Sequence, residues 1–142
     1  MSRVVVLGAG VSGHTAALYL KKKLGSAHEV IVVSPNSKWN WIPSNIWVGV
    51  GRMTTKQVVF PLAPVYKRKK IDFRQALATA IWPEGDAESD SAFVEVTYTD
   101  AAKTGQTERI SYDYLVNATG PKLNFAATPG LGPDNGYTSS VC

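Results

Sequence analysis

Val4-Val5-Val6-Leu7-Gly8-Ala9-Gly10-Val11-Ser12-Gly13 is an apolar run that leads directly into a Gly-x-Gly-x-x-Gly turn. Each glycine answers a separate physical demand. Gly8 permits a tight strand-to-helix turn, and Gly10 lets the backbone approach a pyrophosphate with no Cβ in the way. Gly13 lets the following helix pack closely on the strand. The helix start then presents N–H groups and a partial positive charge to the phosphates. The glycine pattern alone is weak, since such a turn can join any strand to any helix. Here it stands in its required context. Ala16-Ala17-Leu18-Tyr19-Leu20 continues as a helix, and Val30-Ile31-Val32-Val33 follows as a second strand. The stretch predicts a β-α-β unit that binds a dinucleotide.

Outward from this unit, the pattern predicts a strand over Arg3–Leu7, a helix over Ser12–Leu24 ended by Gly25-Ser26, and a strand over Glu29–Ser34. Pro35–Gly51 lacks periodicity and carries Trp39, Trp41, Ile42, Ile46 and Trp47. Such a segment packs over something flat and apolar; a cofactor face and ordinary core both account for the composition. Pro61–Lys70 reads as a short helix with Pro61 tolerated at its start, and Ile71–Phe73 as a third strand. Leu77–Trp82, Phe93–Thr99 and Thr107–Ser111 alternate in the strand manner, separated by Pro83-Glu84-Gly85-Asp86 and by Thr104-Gly105. They predict a three-stranded antiparallel meander. Tyr114–Ala118 resumes the buried parallel pattern, and the residues beyond Gly120 are rich in proline and glycine. The expected fold is α/β: a three-layer, Rossmann-like nucleotide-binding domain over residues 1–142, with a parallel sheet plus an antiparallel β-meander.

A chain of 142 residues with 44% hydrophobic and 18% charged side chains is composed like an ordinary globular domain. Its net charge of +4 includes two clusters, Lys21-Lys22-Lys23 and Lys67-Arg68-Lys69-Lys70. Both read as solvated helix ends that suit the helix dipole, not as a nucleic-acid patch. An acidic phospholipid surface remains open for the second. No apolar run is long enough to span a bilayer, and Val4–Leu7 is too short for an export signal. The location expected is cytoplasmic, with any membrane contact peripheral. The single cysteine excludes an intrachain disulfide. His14 and His28 have no cysteine or carboxylate cluster at ligand spacing, so no metal site is expected. Asp113, between Tyr112 and Tyr114, belongs to the lead-in of a strand.

A strand ending in Ala118-Thr119-Gly120, after a meander and a leading glycine unit, resembles the FAD domain of two-dinucleotide-fold flavoproteins. Three stretches make the resemblance finer: Pro43-Ser44-Asn45-Ile46-Trp47-Val48-Gly49-Val50-Gly51, Tyr112 to Leu123, and Ser140-Val141-Cys142. They are similar to the sulfide:quinone oxidoreductases and to the flavin subunits of flavocytochrome c sulfide dehydrogenase. The resemblance covers this chain but only the amino-terminal part of such an enzyme. It implies FAD as cofactor, with Gly8, Ala9, Gly10, Val11, Ser12 and Gly13 at the pyrophosphate. Ser34 falls where many FAD proteins place an acidic residue on the adenosine ribose; its hydroxyl can bond a ribose without charge assistance. Ala78 corresponds to a backbone position at the adenine, Pro43 and Ser44 to the isoalloxazine, and Thr119 and Gly120 to the nucleotide.

The same resemblance makes Cys142 the first of the cysteines beside the flavin, a catalytic thiol whose reactivity depends on a lowered pKa. In this chain alone its partner cysteines are absent, and a cysteine without a role is the plainer reading. Sulfide and quinone are the implied substrates of the complete enzyme, with peripheral membrane contact through parts not in this chain. Self-association through the tryptophan-rich segment is a further expectation. The alternatives are a type II NADH:quinone reductase, a flavocytochrome c flavin subunit, and a non-catalytic nucleotide-binding fragment.

Overall fold

A computed structural model describes residues 1–132. In chain order the elements are β1 (Arg3–Leu7), α1 (Val11–Leu24), β2 (Glu29–Ser34), β3 (Lys38–Asn40), a 3-10 turn (Ile42–Ser44), α2 (Asn45–Gly49), α3 (Thr55–Val58), β4 (Val59–Pro61), α4 (Leu62–Lys69), β5 (Asp72–Trp82), β6 (Phe93–Tyr98), β7 (Thr107–Ser111) and β8 (Tyr114–Asn117). The chain divides into two units. One comprises Met1–Trp39 and Pro61–Thr119; the other comprises Asn40–Phe60 and the segment from Gly120.

The first unit is built on a six-stranded sheet in the order β7-β6-β5-β2-β1-β8. β1 pairs in parallel with β2 on one side and β8 on the other, with Val5 opposite both Ile31 and Leu115. The continuous Val/Ile/Leu runs of β1 and β2 are buried on both faces, as parallel strands covered on both sides require. One face sends Val5, Leu7, Ile31 and Val33 into a core shared with Ala76, Val94, Val96, Tyr98 and Ile110 of the meander. Their alternates Val4, Val6, Val30 and Val32 are equally buried on the opposite face. There α1 packs on β1 and β2. This is the α/β architecture expected, a parallel sheet joined to an antiparallel meander.

Two separately expected strands are one. Ile71–Phe73 and Leu77–Trp82 belong to the single eleven-residue β5, apart from Ile71 just before it. Its first half pairs in parallel with β2, Asp72 opposite Ile31 through Gln75 opposite Ser34. Its second half pairs antiparallel with β6, Ala76 opposite Tyr98 through Trp82 opposite Phe93. Arg74 and Gln75, which look like a break in the sequence, are instead where the strand changes partners. Arg74 there reaches Asp72 (2.8 Å), the Tyr98 hydroxyl (3.1 Å) and Glu108 (3.5 Å). A register shift between Ala78 and Ala80 bends the strand, with the Thr79 hydroxyl donating to the Glu95 carbonyl.

The second unit holds α2 and α3, which the sequence pattern did not suggest. They are short, and α3 starts with a capping box in which the Gln57 side chain accepts from the Thr54 N–H at 2.8 Å. The tryptophans divide. Trp39 lies in the first unit with its ring 5.7 Å from His14, whereas Trp41, Ile46 and Trp47 are exposed. Core packing accounts only for the first of them.

The tightest contact in the glycine loop is at Gly13, where a Cβ would stand 2.0 Å from the Gly8 carbonyl oxygen and 3.2 Å from the Ala118 Cβ. Backbone cannot yield there without lifting α1 off the sheet. Gly13→Ala is therefore expected to lower stability by about 1–3 kcal/mol, the ordinary cost of overpacking. Urea unfolding of the wild type and variant measures it; an unchanged midpoint would show that the helix start has room to move.

Candidate nucleotide-binding site

Three strand ends meet in the first unit. β2 ends at Ser34, β1 runs into Gly8, and β8 runs into Ala118-Thr119. The chain passes outward from β1 to β2 and β5, then returns to place β8 on the other side of β1. Such a reversal opens a crevice at the carboxyl ends of the strands, where ligands of open α/β sheets bind.

The turn at this crevice is fixed by backbone bonds. The Gly8 N–H donates to the Val33 carbonyl and the Ala118 N–H to the Leu7 carbonyl, both at 2.8 Å. Gly8 has φ +91°, and a Cβ there would lie 2.3 Å from the Ala118 carbonyl oxygen. No other residue type fits that position. Asn117 shapes the facing turn, its Oδ1 accepting from the Thr119 hydroxyl at 2.9 Å and from the Thr119 N–H at 3.3 Å. Sequence reasoning did not single out Asn117 for this role. An asparagine two residues before a backbone N–H that needs an acceptor is the local signal that could have done so.

Gly10 behaves differently from its neighbours. It caps α1 in an extended conformation that any residue adopts, and a Cβ there would meet no atom of the described residues within 4 Å. Packing among the described residues therefore gives no reason for a glycine at this position. A ligand approaching the helix start does, because a Cβ would fill the space it needs. The first turn of α1 has no side-chain cap and no acidic residue, so its N–H groups and dipole are available to an anion. Ala9 is buried, while Val11 and Ser12 are exposed at the start of the helix. These residues fit the diphosphate of a dinucleotide.

Of the other candidates, Ser34 is buried at the end of β2, and its Oγ accepts from the Asn36 N–H at 3.4 Å. Ala78 lies on β5 opposite Val96, just before the bulge, and packs against the core. The glycine loop, Ser34, Ala78 and Thr119 thus belong to one unit, built on one sheet. Pro43, Ser44 and Gly120 belong to the second unit, where Pro43 is exposed and Ser44 half-buried. Gly120 has φ +73°. Cys142 lies outside the described residues. Among those residues no cluster of His, Cys, Asp or Glu could hold a metal, and no helix is long and apolar enough to cross a membrane.

Behind the helix start stands a neutral aromatic group. The His14 Nδ1 and the Tyr66 hydroxyl are 2.9 Å apart, with the rings of Trp39 and Phe73 alongside. Burial pushes the Tyr66 phenol well above its usual range and His14 below the ordinary 6.5. Tyr66 therefore keeps its proton, His14 is held toward its neutral form, and the two share one hydrogen bond. The histidine serves the core.

The chain belongs to the pyridine nucleotide-disulphide oxidoreductase family, which matches residues 2–142. Its members include the sulfide-quinone reductases and are FAD-binding flavoproteins, so FAD is the cofactor. Sulfide-quinone reductase of Aquifex aeolicus is 29% identical over 124 residues, 87% of this chain and 25% of that protein. The mitochondrial external alternative NAD(P)H-ubiquinone oxidoreductase B1 of Solanum tuberosum is 32% identical over 132 residues, covering 91% and 22%. The crystal structure of the sulfide:quinone oxidoreductase from Aquifex aeolicus superposes with a TM-score of 0.70 at 30% identity, covering 88% of this chain and 26% of that one. This chain spans about a quarter of the length of these relatives. It is homologous both to sulfide-quinone reductases and to NADH-type quinone reductases.

The open space at Gly10 sets one expectation. Gly10→Val should cost the full-length protein at least about tenfold in FAD affinity, near 1.4 kcal/mol. It should disturb apoprotein stability less than Gly13→Ala does. Flavin absorbance of the purified protein reads this, and a normal FAD complement would remove the loop from the phosphate site. His14 generates another. Its folded pKa lies below its unfolded value, so its contribution is complete above about pH 6.5 and is lost as pH falls below that. His14→Gln should flatten the acid side of the stability profile; an unchanged slope in thermal melts would assign that slope to other groups.

Proposed function

We propose that this chain is the amino-terminal FAD-binding portion of a sulfide:quinone oxidoreductase-like enzyme. In the complete protein sulfide is the electron donor and a quinone the acceptor. The observation that sets this chain apart from a generic pyridine-nucleotide site is Ser34. A buried hydroxyl ends β2, where the NAD(P)- and many FAD-binding folds set a carboxylate on a ribose. A serine there takes the ribose as a neutral partner. The run from Pro43 to Gly51 and the cysteine at position 142 support the same reading.

The roles of the chain's own residues follow from their chemistry. Gly8, Ala9, Gly10, Val11, Ser12 and Gly13 hold the pyrophosphate through backbone N–H groups and the dipole of α1. Ser34 receives the adenosine ribose and the backbone at Ala78 the adenine. Thr119 and Gly120 bound the nucleotide, and Pro43 and Ser44 approach the isoalloxazine. When bound, FAD supplies two-electron redox chemistry that no side chain here provides. Cys142 is the thiol that engages sulfide-derived sulfur, together with cysteines beyond this chain. Quinone access gives the complete enzyme its reason for peripheral membrane contact.

A second reading, a type II NADH:quinone reductase, is favoured by the 32% identity to the Solanum tuberosum NAD(P)H-ubiquinone oxidoreductase. The electron donor separates the two. The full-length flavoprotein is assayed with a soluble quinone and either sulfide or NADH. Sulfide should drive quinone reduction, and Cys142→Ala should lower that rate at least about tenfold, or roughly 1.4 kcal/mol of barrier, with FAD content unchanged. Reduction driven by NADH and not by sulfide would replace this reading with the second.

A further inference from the structure

The charges of this chain are segregated along its length. Eleven of its fifteen lysines and arginines lie at or before Lys70, and Glu29 is the single acidic residue in that stretch. The meander balances its own cations. Arg109 pairs with Asp86, Glu88 and Glu95, and Arg74 with Asp72 and Glu108. Arg3 takes Glu29 at 2.6 Å, removing that one carboxylate from the rest of the amino-terminal half.

Seven of the ten cations that remain there lie at the ends of two helices, the other three being Lys38, Arg52 and Lys56. α1 ends in Lys21-Lys22-Lys23 and α4 in Lys67-Arg68-Lys69, with Lys70 as its left-handed cap; neither helix contains an acidic residue. The Tyr66 ring packs on His14 at 5.4 Å and so holds α4 against α1. A cleft of about 490 Å³ lies between the helices, lined by Thr15, Leu18, Tyr19, Lys21, Lys22 and Lys69. Lys21 and Lys22 of one cluster and Lys69 of the other, distant in sequence, thus line the same cleft.

Among the described residues none of these seven cations makes an ion pair with a carboxylate. Lys21 donates to the His28 carbonyl at 3.2 Å, and the Lys23 ammonium stands 5.5 Å from the centre of the Tyr19 ring. Tyr19 is 60% exposed at the rim of the cleft.

We propose that this face, the joined carboxyl ends of α1 and α4, docks on an anionic phospholipid surface. The charge complementarity is direct, since headgroup phosphates meet cations that no protein carboxylate among the described residues neutralises, and each basic residue near such a surface adds to binding. Six of the seven cations are lysines, compact point charges suited to headgroup phosphates, whereas nucleic-acid recognition favours the planar fork of arginine. Leu18 and the exposed Tyr19 add the apolar and aromatic contact that suits the headgroup boundary. The inference rests on the peripheral membrane contact of the proposed function and adds to it a contact made by this chain's own residues; it does not depend on which donor the enzyme uses.

The test uses the full-length holoprotein and sedimentation with phosphatidylcholine vesicles, with and without phosphatidylglycerol. Wild type should bind the anionic vesicles, bind the neutral ones weakly, and release as salt rises. Lys22→Glu/Lys69→Glu should weaken partitioning at least about tenfold. Lys103→Glu/Lys122→Glu, with the same change in net charge, should leave it within about twofold. Lys22→Gln/Lys69→Gln gives the same reading with a gentler change should the glutamates prevent folding, and FAD content reports the fold independently of activity. Equal losses in both pairs of variants would overturn the proposal, as would equal binding to neutral vesicles. Retention on duplex DNA without vesicle binding would overturn it in favour of a nucleic-acid partner.

Discussion

The close approach of the glycine loop to the end of β8 is the constraint on which the rest depends. Gly8 sits at positive φ with the Ala118 carbonyl where its Cβ would be, and Gly13 sits on the Gly8 carbonyl in turn. These contacts join β1, α1 and β8 at a single point. The bonds from Gly8 to Val33 and from Ala118 to Leu7 tie β2 into the same point. The N–H groups at the start of α1 are therefore aimed by rigid elements, which is what a site needs to bind without reorganising.

The aromatic group behind α1 serves the same end electrostatically. A charged histidine in the first turn would oppose the helix dipole and would have to be desolvated. Burial avoids this by pushing the His14 pKa down, with the Tyr66 hydroxyl as the hydrogen-bond partner of the neutral ring. The positive field at the crevice then comes from backbone dipoles, which do not titrate. Two clusters of cations in the same unit lie at the carboxyl ends of α1 and α4, where they complement the opposite pole of each helix.

Family membership and fold define a flavoprotein oxidoreductase domain. At the end of β2 the buried Ser34 offers a hydroxyl, which differs from a carboxylate at the same strand end in charge and not in placement. The second unit exposes Trp41, Ile46 and Trp47, so these side chains do not fill the core of this chain.

The β-α-β unit, the meander and the parallel strand before Ala118 were legible in the sequence because they rest on local rules. Buried parallel strands read as apolar runs, half-buried ones alternate, and glycines mark the turns between them. β1, β2 and β7 were legible to the residue. The joining of Ile71–Phe73 to Leu77–Trp82 was not, because Arg74 and Gln75 look like a break until the strand's change of partner from β2 to β6 gives them neighbours. The short helices α2 and α3 were hidden for a related reason: elements of one turn carry too few residues for a period to show. Within the site, the sequence by itself determined which residues form the loop and why glycine is needed at three places. Only the tertiary structure decided what each glycine faces: the Ala118 carbonyl just past β8 at Gly8, the loop itself at Gly13, and no atom of the described residues at Gly10. Local rules set backbone conformation, but the neighbours that occupy or leave empty the space of a missing Cβ come from distant parts of the chain.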